Sequence, residues 1–242
     1  MRYLVAFGCS HTNGSMLDGV NAAGEWNVRN GFPGMLAKKY DRELINISMP
    51  GGSNQYIFRS VLKYMHHYMD DEDDHMFLIN WTGTTRFELR YPNQLEHLYF
   101  SKGDFKDEKT IPFSMGIKAS LFTWKPAAEL LRFGPYLFDV DLLSNKWASY
   151  AYNLQQILEL HNIPYLMSNT CDGMTRTDYN SPIIDNLCPK HYPHADDTEE
   201  CLVTWLLKQG IEKTKCWHFR EDGHKLWAEK LDGFIQELGY DK

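Results

Sequence analysis

Four short apolar runs decide what this chain can fold into. Tyr3-Leu4-Val5-Ala6-Phe7, Leu44-Ile45-Asn46-Ile47, His75 to Trp81 and Pro164 to Ser168 are too short to be helices, and each reads as a buried strand. The stretches between them carry helical spacing instead. Phe32 to Tyr40 places Phe32, Met35 and Leu36 together, with Lys38 and Lys39 near its end, where cations suit the helix dipole. Ser53 is a good N-cap for a helix with Ile57, Val61, Leu62 and Met65 on its inner stripe. Leu143 to Leu160, Cys201 to Lys208 and Glu221 to Leu238 complete the set, the last with Leu226, Trp227, Leu231, Phe234 and Ile235 on its buried side. Alternation of short strands and helices implies parallel pairing with right-handed crossovers. The expected fold class is α/β, a three-layer α/β/α sandwich around a parallel sheet.

The 242 residues contain no Pro/Gly/Ser-rich linker, so residues 1–242 are expected to form one domain. From Arg90 to Leu142 the periodicity loosens into loops with a short helix around Pro126 to Phe133, which predicts an insertion or cap. Asn13 to Asn30 and Thr170 to Thr198 are expected to be irregular loops that shape a pocket.

In an open parallel sheet the reacting groups gather beyond the carboxyl ends of the strands. Three of the runs here lead into small or polar residues: Gly8-Cys9-Ser10-His11-Thr12, then Met49-Pro50-Gly51-Gly52-Ser53-Asn54, then Thr82-Gly83-Thr84-Thr85-Arg86. Acyl transfer by serine needs a hydroxyl, a base within hydrogen-bond reach, and donors aimed at the developing oxyanion. Ser10 can supply the hydroxyl, the Gly51-Gly52 turn an N–H, and Thr84 or Thr85 a side-chain donor. His218 precedes the terminal helix and can reach the same edge as a base. Taken singly, each has a plainer reading: Ser10 as a turn cap and His218 as a structural histidine.

Together these residues resemble the SGNH or GDSL-type hydrolases, a family of esterases and lipases with a flavodoxin-like sheet. Gly8-Cys9-Ser10 is similar to the family's first block, Gly-Asp-Ser, and Asn46 through Gly51 to its second block with an oxyanion glycine. His218-Phe-Arg-Glu-Asp-Gly223-His224-Lys-Leu-Trp-Ala228 is similar to its last block. The resemblance implies Ser10 as nucleophile and His218 as general base, with His224 packing or capping. It implies an oxyanion hole from the Ser10 and Gly51 N–H groups, with Thr84 as third donor and Asn54 as runner-up. Gly-Cys-Ser-His-Thr and Trp-Thr-x-x-x-Arg also look like members encoded by tailed bacteriophages, which would place the protein in a virion or an infected host's cytoplasm. Three positions depart from the pattern. Cys9 replaces the first-block aspartate, the third block lacks its asparagine, and the aspartate expected three residues before the histidine is Lys215. A backbone carbonyl at Lys215 would then orient the ring, leaving a Ser-His dyad.

The expected partner is a small-molecule or carbohydrate ester, an O-acetylated carbohydrate by analogy with the family. A net charge of -7 without a basic stripe argues against nucleic acid. No apolar run is long enough to span a membrane, and the N-terminus lacks a signal-peptide pattern, so a cytoplasmic location is expected. The five scattered cysteines suit a reducing compartment. Cys188-x-x-His191-x-x-His194 with Asp196 and Asp197 lacks a second ligand pair of usual zinc spacing, and the acidic run Asp70 to Asp74 lacks the spaced ligands of a calcium loop. Neither a cofactor nor a metal is called for. The competing reading keeps the fold and drops the chemistry: a binding or structural module, its site decayed at Cys9, Thr84 and Lys215, binding carbohydrate or a partner subunit through exposed aromatics.

Overall fold

The computed structural model describes residues 1–17, 24–70, 72–84, 86–90, 110–114 and 140–241. Its centre is a sheet of four parallel strands, β1 (Arg2–Phe7), β2 (Glu43–Asn46), β3 (Asp74–Trp81) and β6 (Tyr165–Asn169), in the order β2-β1-β3-β6. Leu4 pairs with Leu44 and Met76, and Ile79 with Met167. All four carboxyl ends therefore lie on one edge. The first strand sits inside the sheet with a neighbour on each side, the arrangement in which doubly wound folds open a crevice at the switch in strand order.

Because successive residues of a strand face opposite ways, each central strand supplies two cores. Val5, Phe7, Phe77, Ile79, Trp81, Tyr165 and Met167 face α3 (Asn54–His67) and α4 (Val140–Leu160), and pack with Ile57, Val61, Trp147, Leu154 and Leu158. Leu4, Ala6, Met76, Leu78 and Leu166 face α2 (Phe32–Lys39), α6 (Leu202–Lys208) and α7 (Glu221–Glu237), and pack with Phe32, Leu36, Leu206, Trp227 and Leu231. The three-layer sandwich follows from this alternation. Ser53 caps α3 as expected, its hydroxyl accepting the Tyr56 N–H at 3.1 Å.

Two expectations need correction. Asn13 to Asn30 is not irregular throughout, since Glu25–Asn30 forms the short helix α1. Within the stretch after Arg90, Thr110–Ser114 is strand β5, pairing antiparallel with β4 (Arg86–Arg90) in a separate two-stranded sheet. The expected helix around Pro126 to Phe133 lies outside the described residues, as does Thr85. Thr170 to Thr198 is largely irregular, broken by the single turn α5 (Ser181–Ile184).

All five cysteines are free thiols. His191 stacks on Tyr165 with ring centroids 4.4 Å apart, and Asp196 pairs with Arg176, so two of the candidate ligands of that segment are engaged elsewhere. Among the described residues no group of three His, Cys, Asp or Glu side chains could hold a metal ion, and no helix is long and apolar enough to cross a membrane.

Candidate active site

Past β1 the chain turns tightly. The Asn13 N–H donates to the Cys9 carbonyl at 3.0 Å and the Ser15 N–H to the Ser10 carbonyl at 2.9 Å. Glycine is required at position 8, because a Cβ there would stand 2.1 Å from Thr12 Oγ1. The turn delivers Ser10 to the carboxyl edge of the sheet, only 7% exposed.

The turn after β2 docks onto the same point. The Met49 N–H donates to the Gly8 carbonyl at 3.0 Å, and the Gly52 N–H closes back on the Met49 carbonyl at 2.8 Å. Pro50 and Gly51 occupy the centre of that turn, and Gly51 has φ +78°, which a type II turn requires and which glycine supplies without strain. A Cβ on Gly52 would come within 3.3 Å of the Gly8 carbonyl oxygen. The Gly51 segment is thus brought up against the backbone leading into Ser10.

Thr84, buried, follows β3 on the neighbouring strand end. Asn54 braces that segment. Its amide donates to the Thr82 carbonyl at 3.0 Å and its carbonyl accepts the Thr82 N–H at 2.8 Å. A carboxylate also reaches this rim: Asp172 Oδ2 lies 2.5 Å from where a Cβ on Gly83 would be.

Beneath the rim runs a buried polar net that the sequence reading missed. Thr12 is its hub. Its hydroxyl accepts from Asn80 Nδ2 at 3.0 Å, its carbonyl accepts from Asn46 Nδ2 at 3.1 Å, and Ser168 Oγ donates to Asn80 Oδ1. Asn13 Nδ2 donates to the Ser48 carbonyl at 3.2 Å. The available signal was the asparagine at or beside the last residue of β2, β3 and β6: Asn46, Asn80 and Asn169. A buried net whose members satisfy one another fixes the geometry of a rim better than apolar packing alone.

His218 arrives from the far end of the chain. Its backbone is pinned in a turn by Thr214, whose N–H donates to the His218 carbonyl at 2.8 Å. The Thr214 hydroxyl donates to the same carbonyl at 3.0 Å and accepts the His218 N–H at 3.3 Å. The His218 ring lies against the ring of His11, centroids 4.8 Å apart, and His11 also lies 6.1 Å from the Phe219 ring. Ser10, Gly51, Thr84 and His218 are therefore carried to one edge by four different segments. Lys215, where the family pattern has its aspartate, is exposed.

His224 takes a structural place. It is buried, Nδ1 accepts the Phe32 N–H at 3.2 Å, and the ring stacks on Phe32 at 5.8 Å. Burial, helped by proximity to His218, pushes its pKa down to about 4, so the ring is neutral near pH 7.

A family model described as "Family of unknown function (DUF6071)" matches residues 15–115, a span that includes neither Ser10 nor His218. No curated protein matches the chain. Among solved structures, the chain is similar to a psychrotrophic esterase, EstA, from Pseudoalteromonas sp., with 11% identity over 97% of each chain and a TM-score of 0.43. A carbohydrate esterase family 2 enzyme with a carbohydrate binding domain, from Corynascus thermopiles, shares 13% identity over 98% of this chain and 67% of that one, with a TM-score of 0.48. A member of the lipolytic G-D-S-L family from Veillonella parvula shares 11% identity over 98% of both chains, with a TM-score of 0.40. At such identities these likenesses assign no residue and no substrate. The site rests on its own geometry.

That geometry offers a hydroxyl, an imidazole and backbone N–H groups on one rim, with a rigid polar floor below. Such a set suits nucleophilic attack on a carbonyl by a hydroxyl whose proton a neighbouring imidazole accepts.

Proposed function

We propose that this protein is a serine acyl-ester hydrolase, with Ser10 as nucleophile and His218 as general base. Ser10 Oγ attacks the ester carbonyl while its proton passes to the His218 imidazole. The oxyanion that forms is held by the Ser10 and Gly51 N–H groups and by the Thr84 hydroxyl. His218 then returns the proton to the departing alcohol, leaving an acyl-serine that water hydrolyses by the same steps in reverse.

The observation that carries this reading is the 4.8 Å contact between the rings of His218 and His11, the residue next to Ser10. It links the base to the nucleophile's turn across nearly the whole length of the chain. In place of an aspartate, the Thr214 clamp fixes the backbone and the His11 ring backs the imidazole. Loss of the acid costs several powers of ten in triad enzymes, so a slow enzyme is expected.

The test is release of p-nitrophenol from its acetate ester by the purified protein, together with labelling by a fluorophosphonate probe. Both should vanish in Ser10→Ala and fall steeply in His218→Ala. Turnover that survives Ser10→Ala would overturn the assignment. A wild-type protein that neither turns over nor takes the label would favour the decayed binding module.

A further inference from the structure

A histidine that takes a proton from a serine becomes an imidazolium, and in a triad a buried carboxylate stabilises that charge. The position that would carry the carboxylate here is Lys215, an exposed ammonium that cannot play the part. What the His218 ring meets instead is the ring of His11. Their centroids are 4.8 Å apart and their planes are inclined by 35°, so the contact is nearer face-on than edge-on. A cation within about 6 Å of an aromatic centroid, over its face, is attracted by the π electrons.

The attraction requires His11 to be the neutral member of the pair, and its setting keeps it so. His11 is only 4% exposed, and burial disfavours a charged imidazole. A proton already on His218 disfavours a second one on His11, because like charges this close repel. Burial and proximity to His218 act in the same direction on His224. The His11 ring is also held in place. The Gly14 N–H donates to the His11 carbonyl at 3.2 Å, and the ring lies 6.1 Å from that of Phe219.

We propose that His11 is a positioning residue for charge: the face of its neutral ring supports the imidazolium of His218, the part an aspartate plays in a triad. The catalytic use of that charge rests on the hydrolase reading; the support of a protonated His218 does not.

The experiment compares wild type, His11→Phe and His11→Leu. Both variants fill the space, but only phenylalanine offers a π face. Protonation of His218 is followed by NMR on the full chain with isotope-labelled histidine, its signal assigned by loss in His218→Gln, and kcat/KM for p-nitrophenyl acetate is measured against pH. Among the described residues, the other ionisable groups on the segments that meet here are Cys9 on the turn of His11, Lys213, Lys215, Cys216 and Arg220 around His218, and Glu221, Asp222 and His224 at the start of α7. All are the same in each variant, so a difference reports residue 11.

Support of the imidazolium raises the proton affinity of His218. Its loss in His11→Leu should therefore move the titration midpoint to lower pH by about half a unit or more, while His11→Phe stays close to wild type. The acid limb of kcat/KM, which reports the base in the free enzyme, should move the same way, and the plateau should fall about threefold or more in His11→Leu and recover in His11→Phe. A midpoint that stays at the wild-type position in His11→Leu overturns the proposal whatever happens to the plateau, because filled space then accounts for the contact. An equal shift in both variants overturns it too. If wild type does not hydrolyse the ester but the midpoint moves in His11→Leu alone, the ring support stands and the hydrolase reading fails. Should His11→Leu not fold, His11→Met, which also lacks a ring, is read in the same way.

Discussion

The imidazoles of His11 and His218 pack 4.8 Å apart, centroid to centroid, with their planes inclined by 35°. The sequence places these residues near opposite ends of the chain, and the fold makes one ring the backing of the other. His11 is buried in the turn that carries Ser10, the proposed nucleophile, and its ring packs on that of His218, the proposed base. In the proposed hydrolase, which has no aspartate at position 215, this packing and the Thr214 clamp would orient the imidazole. A displacement of about 1 Å at a reacting group costs on the order of a hundredfold in rate. His11→Ala should therefore lower kcat/KM for p-nitrophenyl acetate by roughly ten- to a hundredfold. His11→Phe, which keeps a flat ring at the same place, should restore most of the loss. Equal damage from both variants would show that the imidazole, not the packing, is what matters.

Gly8 is held by contact. A methyl group there would stand 2.1 Å from Thr12 Oγ1, the oxygen that accepts from Asn80. Gly8→Ala should destabilise the fold by about 1–3 kcal/mol through overpacking. In the double variant Gly8→Ala/Thr12→Ala the 2.1 Å contact with Oγ1 is relieved, but Asn80 loses its acceptor and the methyl still meets the Cβ of residue 12 at 2.6 Å. Urea unfolding should then show a coupling between the two sites, with the double variant less damaged than the sum of the singles. Strict additivity would place the origin of the cost elsewhere.

Asn54 satisfies both backbone polar groups of Thr82 at a fully buried strand end. Asn54→Ala leaves an N–H and a carbonyl without partners, each worth about 1–3 kcal/mol when buried. Asn54→Asp should not rescue it, because a carboxylate accepts the N–H but repels the carbonyl. Equilibrium unfolding of the two variants checks this, and a stable Asn54→Asp protein would contradict it.

β1, β3 and β6 were legible because they are buried on both faces, and β2, only half-buried, because its short run is still apolar. Continuous apolar runs such as Tyr3 to Phe7 identify themselves without any partner in view, and the parallel sheet follows from the helices between them. Helix α1 escaped because its six residues lie in a stretch rich in glycine and asparagine. The β4–β5 pair escaped because its register joins Arg86 to Ser114, and no local pattern announces a partner so far along the chain. For the candidate site, Ser10 and His218 carry local signatures, whereas their supports do not. Thr12 and Asn54 act through hydrogen bonds whose partners only the fold brings near, and the local Thr214–His218 turn has no residue pattern that announces it. His11 was quoted as part of a motif, yet nothing in one dimension says that its ring meets His218.

His224 gives the fold a pH dependence whose sign can be worked out. Its pKa is about 4 when folded, against an ordinary value of 6.5, because burial disfavours the charged ring and His218 lies nearby. Above pH 6.5 the ring is neutral in both states and contributes no dependence. Between pH 6.5 and about 4 the unfolded chain binds a proton that the folded one refuses, so stability falls as pH falls, at up to 1.36 kcal/mol per unit. The full loss is about 3 kcal/mol and levels off below the folded value. In His224→Asn the Oδ1 atom stands where Nδ1 does and accepts the Phe32 N–H without titrating. Chemical denaturation at a series of pH values should show a steeper decline for wild type than for His224→Asn across that window, with parallel curves above it. Parallel curves throughout would mean that the ring titrates alike in both states, and that its burial does not hold it neutral.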